Sequence, residues 1–264
     1  MTNLFCNRSS RFKWWVFFAM IVTSVCALKV VVFVMQRLSS IHFLRAEMEK
    51  GLSCEWQTHN GKRVSDEKLL NSTLLLWGGP VNLQMTSPDY RSSDYQKLGQ
   101  VVGSFHTLNE LGIQRGQPSD ITRFFIGLGR QDSLSTLYMF GASTEDSISA
   151  HLDQFPNLRV AGFVPSKMTG EGFPALVQLE QLDLTASDMT KIGFGQVLKL
   201  PRLKWLRFSS PNFSAFWIDR LLDSDGHITN IQILESKLTR EDVERALKQY
   251  RHHWPTNRLE IDYQ

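Results

Sequence analysis

The chain has 264 residues, 42% of them hydrophobic and 21% charged, which suits one or two globular domains and excludes a disordered or fibrous chain. Its net charge of +3, with 29 basic residues scattered along its length, leaves no nucleic-acid footprint. Cysteines at 6, 26 and 54 are too few for a disulfide framework.

After a 13-residue tail comes "WWVFFAMIVTSVCALKVVVFVM", residues 14–35, whose single charge is Lys29. A helix of that length reaches roughly 33 Å, enough to cross a bilayer core. Trp14 and Trp15 stand where aromatic rings favour the membrane interface. A cleaved signal peptide fits less well, because the apolar stretch is long and no small-residue cleavage site follows it. In "TSVC" at 23–26, Val25 occupies the place where a lipoprotein site needs a small residue. Arg8, Arg11 and Lys13 precede the span and Arg37, Arg45 and Lys50 follow it. With the amino terminus added, the balance places the N-terminus inside and the C-terminal domain on the non-cytoplasmic side.

Residues 36–68 read as a partly helical stalk. Ile41, Leu44, Met48 and Leu52 recur at helical spacing and stop near Gly51, which extends the membrane helix. An interfacial amphipathic segment, or a strip that pairs with a second copy, is the other assignment for this stretch.

From residue 69 to 264 an apolar frame repeats: x-x-L-x-L after a leading apolar residue. It reads Leu108, Leu111, Ile113; Leu134, Leu137, Met139; Phe155, Leu158, Val160; Leu179, Leu182, Leu184; Leu203, Leu206, Phe208; and Ile228, Ile231, Ile233. Leu259 and Ile261 close the series, with Thr256 in the first place, and Leu74 and Leu76 open it, with Asn71. The last two apolar positions of each copy alternate along a short strand and so share a face. One copy cannot bury that face alone, but stacked copies share a continuous core. Between the strands, "SDITRFFIGLG", "TEDSISAHLDQF", "SAFWIDRLL" and "TREDVERALKQY" turn apolar at helical spacing after a Ser or Thr. "SDMT" at 187–190, "PNFS" at 211–214 and "SKLT" at 236–239 each end on a candidate N-cap.

These features resemble the leucine-rich repeat family over roughly residues 70–264, most of all the divergent bacterial type, often seen in planctomycetes, in which a membrane anchor precedes a short array. The resemblance implies an α/β solenoid with parallel strands on one side and helices on the other, binding partners on its concave strand face. The family's Asn or Cys after the strand is replaced by Gly116, Ala142, Phe163, Ser187, Pro211 and Ser236, so the turns need other hydrogen-bond partners.

In this frame the residue between the last two apolar positions points outward: Leu75, Gly112, Tyr138, Arg159, Asp183, Arg207, Gln232 and Glu260. Thr136, Phe140, Trp205, Ser209 and Trp77 flank that row. Tyr138, Phe140, Arg159, Trp205 and Arg207 therefore form the expected partner-binding patch, since Tyr, Trp and Arg dominate binding hot spots. A frame shift of one residue would turn the flanking aromatics inward.

No nucleophile, zinc or phosphate-loop motif is present. "DSDGH" at 223–227 lacks the distal ligands of a calcium loop, "HHW" at 252–254 has no acidic or thiol companion, and Asp183 has no spaced acid or base. The expectation is a membrane-anchored, non-enzymatic module that needs no cofactor or metal and binds a protein partner. The alternatives are an envelope component that self-associates through its stalk and an enzyme whose site carries no recognisable motif.

Overall fold

A computed structural model describes residues 6–57, 63–64, 82–86, 94–173, 176–210, 213–224 and 226–263, and the chain divides into two compact units, residues 1–43 and 44–264. Helix α1 (Cys6–Glu49) makes up the described part of the first unit and lends its last turns to the second. Residues 18–33 are exposed on every side of α1. A helical stretch that is apolar all round and buries none of these residues fits a membrane span or the apolar part of a signal sequence alike. Its described part, Phe18–Glu49, has the length and composition of a membrane span or a signal sequence. The hydroxyl of Thr23 donates back to the carbonyls of Ala19 and Met20, so this polar group is satisfied within the helix.

The second unit opens where α1 ends. Gly51, at φ +103°, adopts a conformation that side chains resist, and its N–H donates to the Met48 carbonyl at 2.9 Å. Leu44 and Glu47 are buried, and the Glu47 carboxylate accepts from Lys50 Nζ at 2.7 Å. Strand β1 (Ser53–Gln57) follows at once and pairs antiparallel with β2 (Arg63–Val64) and β3 (Asn82–Thr86). Strands β1 and β2 lie within the stretch 36–68 expected as a stalk. Cys54 and Trp56 alternate inward on β1, so part of that stretch belongs to the sheet. Leu74 to Trp77 lie outside the described residues, and β3 carries the first described copy of the frame, Leu83 and Met85.

Parallel strands then continue in sequence order: β4 (Glu110–Gly116), β5 (Thr136–Thr144), β6 (Val160–Ser166), β7 (Gln181–Leu184), β8 (Trp205–Ser209), β9 (Asn230–Ser236) and β10 (Arg258–Tyr263). Each parallel step needs a crossover. Helices α2 (Tyr95–Gly103), α3 (Pro118–Leu128), α4 (Lys191–Val197), α5 (Ala215–Leu222) and α6 (Arg240–His253) supply these, with a 3-10 helix at Asp146–Gln154 where "TEDSISAHLDQF" suggested α-helix. Ile148 and Leu152 still point inward from it. Thr190 and Thr239 cap α4 and α6 as expected, accepting from the N–H groups of Gly193 and Asp242. Ser214 stands at the start of α5 without a side-chain cap bond, and α3 begins at Pro118 rather than at a serine.

One inward row runs Leu83, Leu111, Leu137, Ala161, Leu182, Leu206, Ile231, Leu259, each aligned with the next across the sheet. All are buried. The third full copy departs from the expected frame. Val160 aligns with Thr136 and Gln181, both on the outward parity, so the inward pair is Ala161 and Phe163. That copy therefore starts at Leu158, and Phe155 instead closes the 3-10 helix from inside the core.

The corrected frame also answers the missing asparagine. Its turn position becomes Ser166, in the same place as Ser187 and Ser236 of later copies. Thr144 pairs with Ser166 across a register shift, its own hydroxyl making no hydrogen bond, and all four hydroxyl residues are buried. Ser236 Oγ donates to the Asp262 carbonyl at 2.8 Å, Ser187 Oγ to the Ser209 carbonyl at 3.4 Å, and Ser209 Oγ accepts from the Ala186 N–H at 2.9 Å. Hydroxyls thus supply bonds that the buried turn backbone requires. Ala186 and Glu235, just before two of those serines, sit at φ 55°, a left-handed geometry that costs a side chain about 1 kcal/mol and that the stacked turns impose.

Candidate recognition surface

Strand register fixes which side chains face away from the helices. Because successive residues alternate, Asn82, Glu110, Thr136, Val160, Gln181, Trp205 and Asn230 make one outward row. Gln84, Gly112, Tyr138, Gly162, Asp183, Arg207, Gln232 and Glu260 make the next. Gln114, Phe140 and Val164 align in a third.

Tyr138 and Phe140 lie two residues apart on β5 and stack with ring centroids 5.5 Å apart and planes within 16°. Phe140 is 40% exposed, more than a large ring gains by burial alone. Gly162 makes room for Tyr138. A Cβ built there would meet Tyr138 Cδ1 at 2.7 Å and Asp183 Cβ at 3.8 Å, so the ring leans across a bare backbone towards Asp183. Asp183 Oδ1 accepts from the Thr185 hydroxyl and N–H at 2.5 and 2.9 Å, which fixes the carboxylate. Its Oδ2 lies 3.7 Å from Arg207 Nη1, too long for a hydrogen bond but close enough for attraction. Trp205 follows on the same strand as Arg207 and is half-buried. Tyr138, Asp183 and Arg207 thus form a ridge across β5 to β8, which spans roughly 14 Å at the usual strand spacing.

Of the expected patch, Tyr138, Phe140, Trp205 and Arg207 face outward on this ridge or beside it. Arg159 does not. It precedes β6, exposed, at the level of Ser135 and Glu180, whose carbonyl and N–H its backbone engages at 2.8 Å each. Gly162 holds the place assigned to it. Ser209, also expected outward, is nearly fully buried through its bond to Ala186. Two contributors were not singled out by the sequence: Gly162, hidden by the frame error, and Glu110, which precedes a strand leucine like many surface residues. Glu110 also lines a cleft of about 270 Å³ with Glu55, Gln57, Arg63, Asn82 and Gln84.

Burial, and then the carboxylates of Glu110 and Asp183, hold the Tyr138 phenol above the ordinary tyrosine range. The protonated phenol is the form the fold favours. Its contribution to stability is complete below the usual tyrosine range and lost as pH rises through the raised value. In an alkaline titration followed by phenolate absorbance, Tyr138 is expected to ionise late, as is Tyr250, raised chiefly by burial. Tyr138→Phe should delete one late step, and Glu110→Gln should bring that step earlier without restoring it fully. A titration unchanged by both substitutions would contradict this geometry.

The fold is a leucine-rich-repeat-like α/β array: a ladder of parallel strands in sequence order from β3 to β10, each carrying an inward apolar pair, with helical returns between most of them. No protein-family model matches the chain, and no curated protein matches it. Among solved structures, the chain is similar to an internalin from Listeria monocytogenes, with 15% identity and a TM-score of 0.42 over 84% of this chain and 62% of that one. The chain thus corresponds to less than two thirds of that internalin's length.

Proposed function

We propose that this protein is a membrane-anchored interaction module that binds a protein partner through the outward face of its sheet, around Tyr138, Phe140, Trp205 and Arg207. The observation that carries the reading is the ridge itself. A repeat array orders these side chains on a rigid sheet, and ordered Tyr, Trp and Arg lose little entropy on binding. Among the described residues this face brings together no acid, base and nucleophile, and Asp183 is engaged by Thr185 and lies near Arg207. Recognition rather than catalysis is its role. Helix α1 is the anchor in this reading, with the N-terminus cytoplasmic and the array on the opposite side.

The test is a photo-crosslinking amino acid placed at Tyr138 and, separately, at Ser40, in the full chain at native level in its own membrane. A discrete partner captured from Tyr138 supports the reading. Products from Ser40 alone, above all the chain's own dimer, would replace it with self-association through α1. Alanine at Tyr138, Trp205 and Arg207 together should weaken partner binding at least a hundredfold, because each hot-spot truncation costs about 2 kcal/mol.

A further inference from the structure

We infer that the outward face selects a partner segment that presents lysine or arginine, with the Tyr138–Phe140 pair and Glu110 receiving the cation. The inference deepens the reading above and rests on it. The faces of aromatic rings attract cations, most strongly where water is partly excluded. Tyr138 and Phe140 stack, and carboxylates stand on both sides of them: Glu110 on the neighbouring strand β4, and Asp183 beyond Gly162.

The balance of charge on this face points the same way. Asp183 lies near Arg207, and Glu260 holds Arg258 as an ion pair. Among the described residues, Glu110 and Glu55 share their cleft with one guanidinium, that of Arg63. Counted over those residues, carboxylates outnumber cations on the side of the ridge next to Tyr138, in a chain whose net charge is +3. A basic segment meets attraction here that an acidic one does not, and the same field would steer its approach. Gly162 lets the Tyr138 ring lie across its bare backbone towards Asp183, so the ring stands between two carboxylate-bearing strands.

The probe is labelled octalysine, titrated into the full chain held in phosphatidylcholine nanodiscs, whose neutral headgroups do not compete, with octaglutamate as the counterpart. Octalysine is expected to bind and octaglutamate not. Glu110→Gln and Tyr138→Leu should each weaken octalysine binding about tenfold, whereas Tyr138→Phe, which keeps the ring, should stay within about twofold. Added salt should weaken binding to the native chain. The inference is overturned if octalysine fails to bind, binds no better than octaglutamate, or binds Glu110→Gln and Tyr138→Leu as it binds the native chain. If that happens while the crosslinker at Tyr138 still captures a discrete partner, the face is a recognition surface of different chemistry and only this inference falls. If the crosslinker is silent as well, both readings fall.

Discussion

Replacing Gly99 with alanine is expected to destabilise the repeat unit by about 3 kcal/mol or more, although alanine is the better helix former by about 1 kcal/mol. The reason is the contact between α2 and α3. A Cβ at Gly99 would stand 2.0 Å from the Phe124 carbonyl oxygen and 2.8 Å from the Leu128 nitrogen. One turn on, a Cβ at Gly103 would meet the Leu128 carbonyl at 2.3 Å, and from the other helix a Cβ at Gly127 would meet the Gln96 carbonyl at 1.9 Å. All of these obstacles are backbone atoms, which cannot swing aside as a side chain would. The helices must separate, and Leu98, Val102, Phe124 and Phe125 would lose their packing with them. The measurement is the urea midpoint of the full chain in detergent micelles, read by near-ultraviolet circular dichroism. Gly195→Ala is the internal comparison, because nothing lies within 4 Å of its added methyl group. There propensity should prevail, and the substitution should be neutral or stabilising by up to about 1 kcal/mol. A Gly99→Ala chain as stable as Gly195→Ala would mean that the two helices do not approach as described.

Phe208→Ala should cost about 4 kcal/mol. Phe208 is fully buried, with its ring 5.4 Å from Phe194, 6.0 Å from Phe213 and 6.2 Å from Trp217, the last nearly parallel. These rings come from β8, from the helices before and after it, and from the turn at Phe213 that leads into the second helix, so one aromatic core fastens two successive copies together. Removal of the central ring leaves a cavity that a rigid sheet on one side cannot close. Phe208→Leu, which keeps most of the volume, should cost about 1.5 kcal/mol. The unfolding midpoint decides it, and a loss below about 1 kcal/mol for the alanine variant would show that the cluster is not the core of this region.

How far the sequence disclosed all this depended on what each copy puts at its inward positions. Where both strand places hold Leu, Ile, Met or Phe, the frame read along the chain is the frame of the sheet, as at Leu182 and Leu184. The copy at Leu158 was misread because its first strand position is Ala161, too small to stand out. Phe155, Leu158 and Val160 happen to offer the same spacing three residues earlier. A side chain's direction flips with every residue, so that one error put Arg159 on the expected ridge and concealed Gly162. Antiparallel β1 and β2 were hidden for a different reason. The pairing of β1 with β3 is a long-range contact, and "SCEWQ" is too short to declare a strand by alternation alone. The α2–α3 contact was equally silent, because a glycine that admits a neighbouring backbone and a glycine that merely interrupts a helix are written with the same letter. The aromatic pair at Tyr138 and Phe140 was legible from alternation, but its carboxylate neighbours emerged only once the strands were laid side by side.

The hydroxyl ladder has a consequence for how this protein can change over generations. An amide side chain at each turn bridges several backbone groups at once and tolerates little variation in the distance from one turn to the next. A serine or threonine contributes a single short-reaching bond and demands only that its own carbonyl or N–H be near. Copies of unequal length then stack without penalty, and this array already mixes them. Insertions and deletions in its connecting segments, such as the stretch between Ser166 and Leu179, are a source of variation that selection can accept while the ridge of outward side chains stays in register.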